Sequence, residues 1–221
     1  MIELKQITKT YQQGQKQITA LQQIDLTIPE GSFVTIQGKS GCGKTSLLKI
    51  LGLVEVPDQG DYFLNGKKVN LSNDVESALL RNRNLSFVTQ SPSLLESASV
   101  EFNVLLPYFI RKEKIRPELT RKLEASLDAV GMRKYQKVKV AQLSGGERQR
   151  VCIVRALLSG ADYILADEPT GNLDKETGGE IIKELAFLVK QGKTIIMATH
   201  DLEFASRGSI CLHMEDGRIL F

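Results

Sequence analysis

Phe33-Val34-Thr35-Ile36-Gln37-Gly38-Lys39-Ser40-Gly41-Cys42-Gly43-Lys44-Thr45-Ser46-Leu47-Leu48 is the stretch from which the rest of this 221-residue chain can be read. Phe33 to Ile36 is a short apolar run of strand character, and Ser46 to Leu53 carries apolar residues at helical spacing. Between them, Gly38 to Thr45 fits the pattern Gly, four residues, Gly-Lys-Ser/Thr. Successive backbone N–H groups can wrap a phosphate only where no side chain intrudes, which calls for glycine. The helix start behind them adds a favourable dipole. On this reading Gly38, Ser40, Gly41, Cys42, Gly43, Lys44, Thr45 and Ser46 bind a nucleotide's phosphates. Lys44 reaches the terminal phosphates, and Thr45 holds magnesium. Because Cys42 lies inside the loop, a thiol reagent is expected to block nucleotide binding.

Upstream of this stretch, Ile2 to Ile7 and Leu21 to Ile28 alternate apolar and polar residues and read as half-buried strands. Downstream, Asp61 to Val69 alternates around Asn65-Gly66, a hairpin signal because both central residues of such a turn need positive φ. Leu85 to Val88 reads as another strand. From about Ser91 to Leu158 the character turns helical, with Pro117 opening and Gly131 closing one helix in which Leu119, Leu123, Leu127 and Val130 recur at helical spacing. Strand–helix alternation then returns in Tyr163 to Ala166, Lys175 to Lys190 and Thr194 to Thr199, followed by a last helix and a hairpin at Asp216-Gly217. Such alternation argues for a mostly parallel sheet covered by helices.

Two further segments carry chemistry. Tyr163 to Ala166 ends in the adjacent carboxylates Asp167 and Glu168, where ligand sites of open parallel sheets lie. Asp167 is placed to hold magnesium, and Glu168 to polarise an attacking water. Leu143-Ser144-Gly145-Gly146-Glu147 opens a helix running to about Ser159, and Ser144 with Glu147 has capping-box spacing. Capping does not account for two glycines, each costing about 1 kcal/mol relative to alanine within a helix. Bare glycines at a helix start suggest a second phosphate-binding surface.

Ser144 to Glu147 followed by Arg148-Gln149-Arg150, then the Asp167-Glu168 strand, resembles the signature of ABC-transporter ATPases. The resemblance continues at Asn172-Leu173-Asp174, at Gln90, at His200 within Ala198-Thr199-His200-Asp201, and at Tyr11. It covers nearly the whole chain, with the motifs in the family's order. It implies an α/β fold, a P-loop NTPase ABC cassette with a mostly parallel core sheet, an N-terminal antiparallel β subdomain and an inserted helical subdomain. The chain is then one domain over 1–221, with its nucleotide-binding core at about 1–90 and 160–221 and its helical signature subdomain at about 91–159.

The resemblance also assigns roles. Tyr11 stacks on adenine, Gln90 contacts magnesium and senses the partner, Glu168 is the general base, and His200 contacts the γ-phosphate. Lys44 joins Glu168 and His200 as a catalytic group. Ser144, Gly145, Gly146 and Asp174 belong to the surface that closes over ATP bound to a second copy. ATP and Mg2+ are the implied cofactors. Thr45 followed by Ser46, Cys42 in the loop, Thr89 before Gln90, and Cys152 and Val154 in the signature helix depart from the family's commoner residues; none removes a required group. Arg81-Asn82-Arg83 and Gly171-Asn172-Leu173-Asp174 resemble the branch of lipoprotein-release, macrolide-export and antimicrobial-peptide-resistance systems.

Composition narrows the partners. Twenty-nine Lys plus Arg against 26 Asp plus Glu give a net charge of +3, too small to argue for a nucleic-acid or membrane surface. The three cysteines are scattered without metal-ligand spacing, as for reduced thiols. Met1 to Thr10 lacks the features of a signal peptide, and no apolar run approaches the roughly 20 residues of a bilayer span. The expected protein is cytoplasmic, bound at the inner face of the membrane to separate permease chains, with no nucleic-acid partner. Ser91 to Ile110, and Leu94 and Leu95 in particular, are the expected contact with that permease. A soluble DNA or ribosome factor, a regulator of a cell-envelope machine, and a nucleotide-dependent scaffold without turnover are the competing readings.

Overall fold

The computed structural model describes residues 1–14 and 16–220. Two sheets frame one helix. A four-stranded antiparallel sheet orders β2 (Lys16–Ile28), β1 (Ile2–Gln13), β4 (Gln59–Leu64) and β5 (Lys67–Lys68). A six-stranded sheet orders β10 (Arg218–Leu220), β9 (Ile210–Glu215), β3 (Phe33–Gln37), β8 (Thr194–Thr199), β7 (Tyr163–Asp167) and β6 (Leu85–Thr89). Its strands pair in parallel except for the β9–β10 hairpin.

Helix α1 (Lys44–Leu51) lies between the sheets, and its Leu47, Leu48, Ile50 and Leu51 are all buried. They join Ile2, Leu4 and Ile7 from β1 and Ile196 from β8 in one core. A helix buried on most of its circumference has to be apolar most of the way round, and Leu47 to Leu51 is, with only Lys49 turned to solvent. On the opposite face of the parallel sheet, α5 (Gly145–Leu158) and α6 (Lys175–Lys190) pack on β7 and β8 through Ile153, Ile181, Ile182 and Leu185. The helix α5 also buries Val151, Val154 and Leu158 against α3 (Val100–Ile110) and α4 (Pro117–Ala129) in a third cluster. Cys152 and Val154 thereby find a physical reason, because α5 presents an apolar side to each of two cores.

Several elements differ from the expectations. Strands β1 and β2 run well beyond Ile7 and start well before Leu21, because backbone pairing continues to Gln13 and Lys16 after the apolar alternation stops. Bulges with Gln6 at φ 51° and Gln23 at φ 50° let the ribbon bend. Helix α2 (Asp74–Asn84) was not legible: its only fully buried residue is Ser77, so it has no apolar stripe to reveal it. Residues 91–99 are not helical; helix begins only at Val100, where the Ser99 hydroxyl caps Phe102 N at 3.2 Å. The last helix, α7, is a single turn, Leu202–Ala205. Both hairpins take the expected positive φ, at Asn65 and Gly66 and at Asp216 and Gly217.

Candidate functional site

The C-terminal ends of β3, β6, β7 and β8 lead onto a cavity of about 590 Å³. Tyr11, Ser40, Gly41, Gly43, Lys44, Thr45, Ser46, Gln90, Glu168 and His200 all line it. These residues come from five separate stretches of sequence.

The loop after β3 is shaped by close approach. Gly43, the N-cap of α1, has φ 109°, and a Cβ there would lie 2.3 Å from the Ala20 carbonyl oxygen. Neither the dihedral nor the space admits a side chain. Lys44 is 7% exposed, and its ammonium donates to the carbonyl oxygens of Gly38 at 2.6 Å and Lys39 at 3.0 Å. A buried charge held only by neutral carbonyls is favourably placed for an anionic ligand.

Two residues of this loop stand back from the cavity lining. Gly38 does not line the cavity; its lack of a side chain is required by the Met214 carbonyl oxygen, which a Cβ would approach to 2.3 Å. The Cys42 side chain turns into the core and is only 7% exposed, so a thiol reagent does not reach it in the folded protein. Cys152 is also buried, whereas Cys211 is exposed. Ellman's reagent on the native chain is therefore expected to modify Cys211 alone and leave nucleotide binding intact. Modification of Cys42, found by peptide mapping and prevented by ATP, would restore the reactive-loop reading.

At the end of β7, burial raises the Asp167 carboxyl above its ordinary range, against the opposing pull of the Thr45 hydroxyl and the Lys44 ammonium. The next residue, Glu168, is held at φ 45°, a left-handed conformation that costs a side-chain-bearing residue on the order of 1–3 kcal/mol. Its N–H donates to Ala198 O at 2.9 Å, and its own carbonyl accepts from Gly171 N at 3.0 Å, so neighbouring backbone fixes the strained residue. Its Oε2 lies 2.9 Å from His200 Nδ1 and accepts from His200 N at 3.3 Å. A carboxylate and an imidazole are thus coupled at the mouth of the cavity, the one mostly covered and the other 68% exposed.

Gln90 lines the cavity, but its amide is engaged: Nε2 donates to Asn172 Oδ1 at 3.2 Å, and Asn172 Nδ2 donates to Gln90 O at 3.3 Å. Asn172, part of the Asn172-Leu173-Asp174 segment, is the partner of Gln90. Gln149, 1% exposed, donates to Thr89 O at 3.2 Å and ties α5 to the residue before Gln90.

Ser144, Gly145, Gly146 and Asp174 lie outside this cavity. Ser144 caps α5 in a complete capping box, with its N–H donating to Glu147 Oε2 at 2.8 Å and its hydroxyl accepting from Glu147 N at 3.3 Å. Gly146 has a packing reason within the chain: a Cβ would stand 2.9 Å from Thr177 Cγ2. Asp174, expected among the ligand-binding groups, spends both carboxylate oxygens on Thr177, accepting from its N–H at 2.9 Å and its hydroxyl at 2.7 Å. It is the N-cap of α6, so any contact with a ligand on a second copy would have to share or replace the Thr177 bonds.

Among the described residues, no group of three or more His, Cys, Asp and Glu could hold a metal ion alone. Thr45 and Asp167 supply two hard oxygen donors, and the Thr45 hydroxyl holds the Asp167 carboxyl down against the larger effect of burial. Two protein oxygens suit magnesium, which keeps waters and completes its shell with substrate phosphates.

Residues 21–171 match the family profile described as ABC transporter. The macrolide export ATP-binding/permease protein MacB of Chlorobaculum tepidum is 43% identical over 222 residues, covering 100% of this chain and 34% of that protein. MacB of Escherichia coli is 37% identical over 220 residues, again covering 100% of this chain and 34% of its own length. The chain thus spans about a third of the curated relatives it matches. Among solved structures, the ATP-binding cassette MJ0796, in a dimeric post-hydrolysis state bound to ADP and Pi, superimposes with a TM-score of 0.91 at 36% identity. That match covers 100% of this chain and 97% of the other.

Proposed function

The chain belongs to the ABC transporter family and is an ATPase of the ATP-binding-cassette fold, and from that premise we propose that two copies close head to tail over ATP and drive a membrane permease. One observation carries this reading. The loop, Glu168 and His200 face one cavity, while the glycine-led tip of α5 lies outside it. On this proposal the tip meets the phosphates of ATP held in the cavity of a second copy. A neighbour that is dimeric and bound to ADP and Pi supports the pairing of two copies.

In this proposal the N–H groups of residues 40–46 wrap the phosphates, and the Lys44 ammonium exchanges its loop carbonyls for phosphate oxygens. Thr45 and Asp167 would hold magnesium, which when bound would supply positive charge beside the transferred phosphoryl group. Glu168 accepts the proton of the attacking water. His200, oriented by Glu168 Oε2, donates to the γ-phosphate and helps hold it in line. Gln90 leaves Asn172 when nucleotide enters, and hydrolysis lets the pair form again and the dimer open. We read residues 1–221 as one cassette whose helical lobe, about 91–159, carries the α5 tip.

The permease contact is proposed for a second, larger cavity of about 820 Å³ between α2, α3 and β6, lined by Val75, Leu79, Phe87, Leu106 and Ile110. It is distant in chemistry from the nucleotide site, being largely apolar. Val75, Leu79 and Ile110 are 71%, 57% and 62% exposed, an expense an isolated surface seldom bears. An amphipathic helix of the permease fits such a groove, and the relatives' names join an ATP-binding part to a permease part. Of the two leucines expected at this contact, Leu94 packs into the second and third cores and is reassigned to them, while Leu95 is 47% exposed. The protein accordingly works at the inner membrane face; no helix among the described residues is long and apolar enough to cross a membrane. The cargo class we infer is a lipoprotein, peptide or drug for export or release, with macrolides the first to assay.

Leu79→Asp with Ile110→Asp is expected to abolish co-purification with the permease and transport-stimulated ATPase activity, at unchanged basal ATPase activity. Both side chains are already solvent-exposed, so the change should be within about 0.5 kcal/mol in stability. Undiminished co-purification and stimulation would remove the groove from the proposal.

A further inference from the structure

Tyr11 does not enter the nucleotide cavity as a free aromatic ring. Its hydroxyl donates to Glu55 Oε2 at 2.6 Å and lies 3.2 Å from Ser46 Oγ. Ser46 belongs to α1, directly behind Lys44 and Thr45, and Glu55 follows α1, its N–H donating to Lys49 O at 3.3 Å. The phenol thus bridges the end of β1 to both ends of the phosphate-binding helix.

The neighbouring residues reinforce the tie. Lys9 Nζ stands 5.6 Å from the Tyr11 ring centroid and donates to Val56 O at 2.8 Å; Thr10 N donates to Asp58 Oδ2 at 2.7 Å. Three successive residues of β1 are therefore fastened to the segment 55–58. Tyrosine can swing about two side-chain torsions, and a stacking platform loses affinity in proportion to the freedom it must surrender when a base arrives. Anchoring the hydroxyl removes that freedom beforehand.

We infer that Glu55 is a positioning residue for nucleotide recognition: by gripping the Tyr11 hydroxyl it presets the ring on which the adenine stacks, and so sets affinity for the base without touching the phosphates. This rests on the proposed stacking of adenine on Tyr11. Glu55 does not line the cavity itself and acts only through Tyr11. The Tyr11 phenol stays protonated, its pKa raised by burial and then by the Glu55 hydrogen bond, so the donor role holds throughout the neutral range.

The test is steady-state ATP hydrolysis of the dimer-competent chain, with inorganic tripolyphosphate as a competitive probe that has phosphates and no base. For Glu55→Ala, losing one hydrogen bond is expected to raise KM for ATP about five-fold, with kcat and the tripolyphosphate inhibition constant unchanged; Tyr11→Phe, which gives up the Ser46 contact as well, should raise KM at least as much. The double variant should be no worse than Tyr11→Phe alone, because that change already breaks the Glu55 contact. Glu55→Gln, which still offers an acceptor oxygen, should restore most of the affinity. Tyr11→Ala, which removes the platform, should raise KM more than Tyr11→Phe. If Tyr11→Ala raises KM and Glu55→Ala does not, the Glu55 inference fails and base stacking survives. If Tyr11→Ala also leaves KM unchanged, base stacking on Tyr11 fails too. Equal weakening of ATP and tripolyphosphate would overturn the inference by showing that Glu55 acts on the phosphate loop.

Discussion

Glu168→Gln is expected to lower ATP turnover by about 100- to 10,000-fold, the range for loss of a positioned general base, while ATP binding is retained and an ATP-bound dimer accumulates. The isosteric amide can occupy the same strained backbone position at φ 45° and still accept from His200 N. Local geometry is therefore preserved, and only the capacity to take a proton is lost. Phosphate release under saturating ATP–Mg2+ measures the first effect, and light scattering of the same sample measures the second. Turnover within a few-fold of the parent chain would remove Glu168 as base. His200→Ala should lose activity as well, because the imidazole that Glu168 orients is then gone from the cavity mouth.

Lys44→Ala is expected to weaken ATP binding by about 10- to 150-fold, the equivalent of roughly 1.5–3 kcal/mol for a charge-assisted hydrogen bond to phosphate. Hydrolysis should fall further, since the same ammonium meets the charge that develops during phosphoryl transfer. In the nucleotide-free chain Lys44 also satisfies the carbonyls of Gly38 and Lys39. Thermal unfolding without ligand should accordingly be measured beside fluorescent-nucleotide titration. Binding within two-fold of the parent affinity would contradict the assignment. A loss of affinity in a chain that still unfolds cooperatively near the parent temperature would confirm that the effect belongs to the phosphate contact.

The readable parts of the fold were those in which burial and local geometry agree. β7, β8 and α6 follow their apolar patterns, the exposed Phe187 of α6 apart, because each is covered on the face or faces that the pattern describes. Asn65-Gly66 and Asp216-Gly217 made their turns because few other residues tolerate two consecutive positive φ values. By contrast, α2 exposes Val75 and Leu79 and hides only Ser77, so its sequence gives no helical stripe. If a permease helix covers that face, the missing part of the pattern lies in another molecule. Residues 91–99 misled in the opposite direction: their apolar residues are held not by helix but by Asn103, whose side chain binds both the N–H and the carbonyl of Leu95.

What the sequence determined alone was the chemistry that depends on contiguous residues. A phosphate loop, a carboxylate pair at a strand end and a capped, glycine-led helix each form from neighbours along the chain, so their spacing is visible in one dimension. Only the tertiary structure could decide what each group faces and what it is bonded to. It placed the Cys42 thiol in the core, assigned both oxygens of Asp174 to Thr177, paired Gln90 with Asn172, and brought Glu55 to Tyr11 across 44 positions. Side-chain hydrogen bonds and burial are set by elements packed from distant parts of the chain, and no local pattern encodes the direction in which a side chain points once those elements close around it.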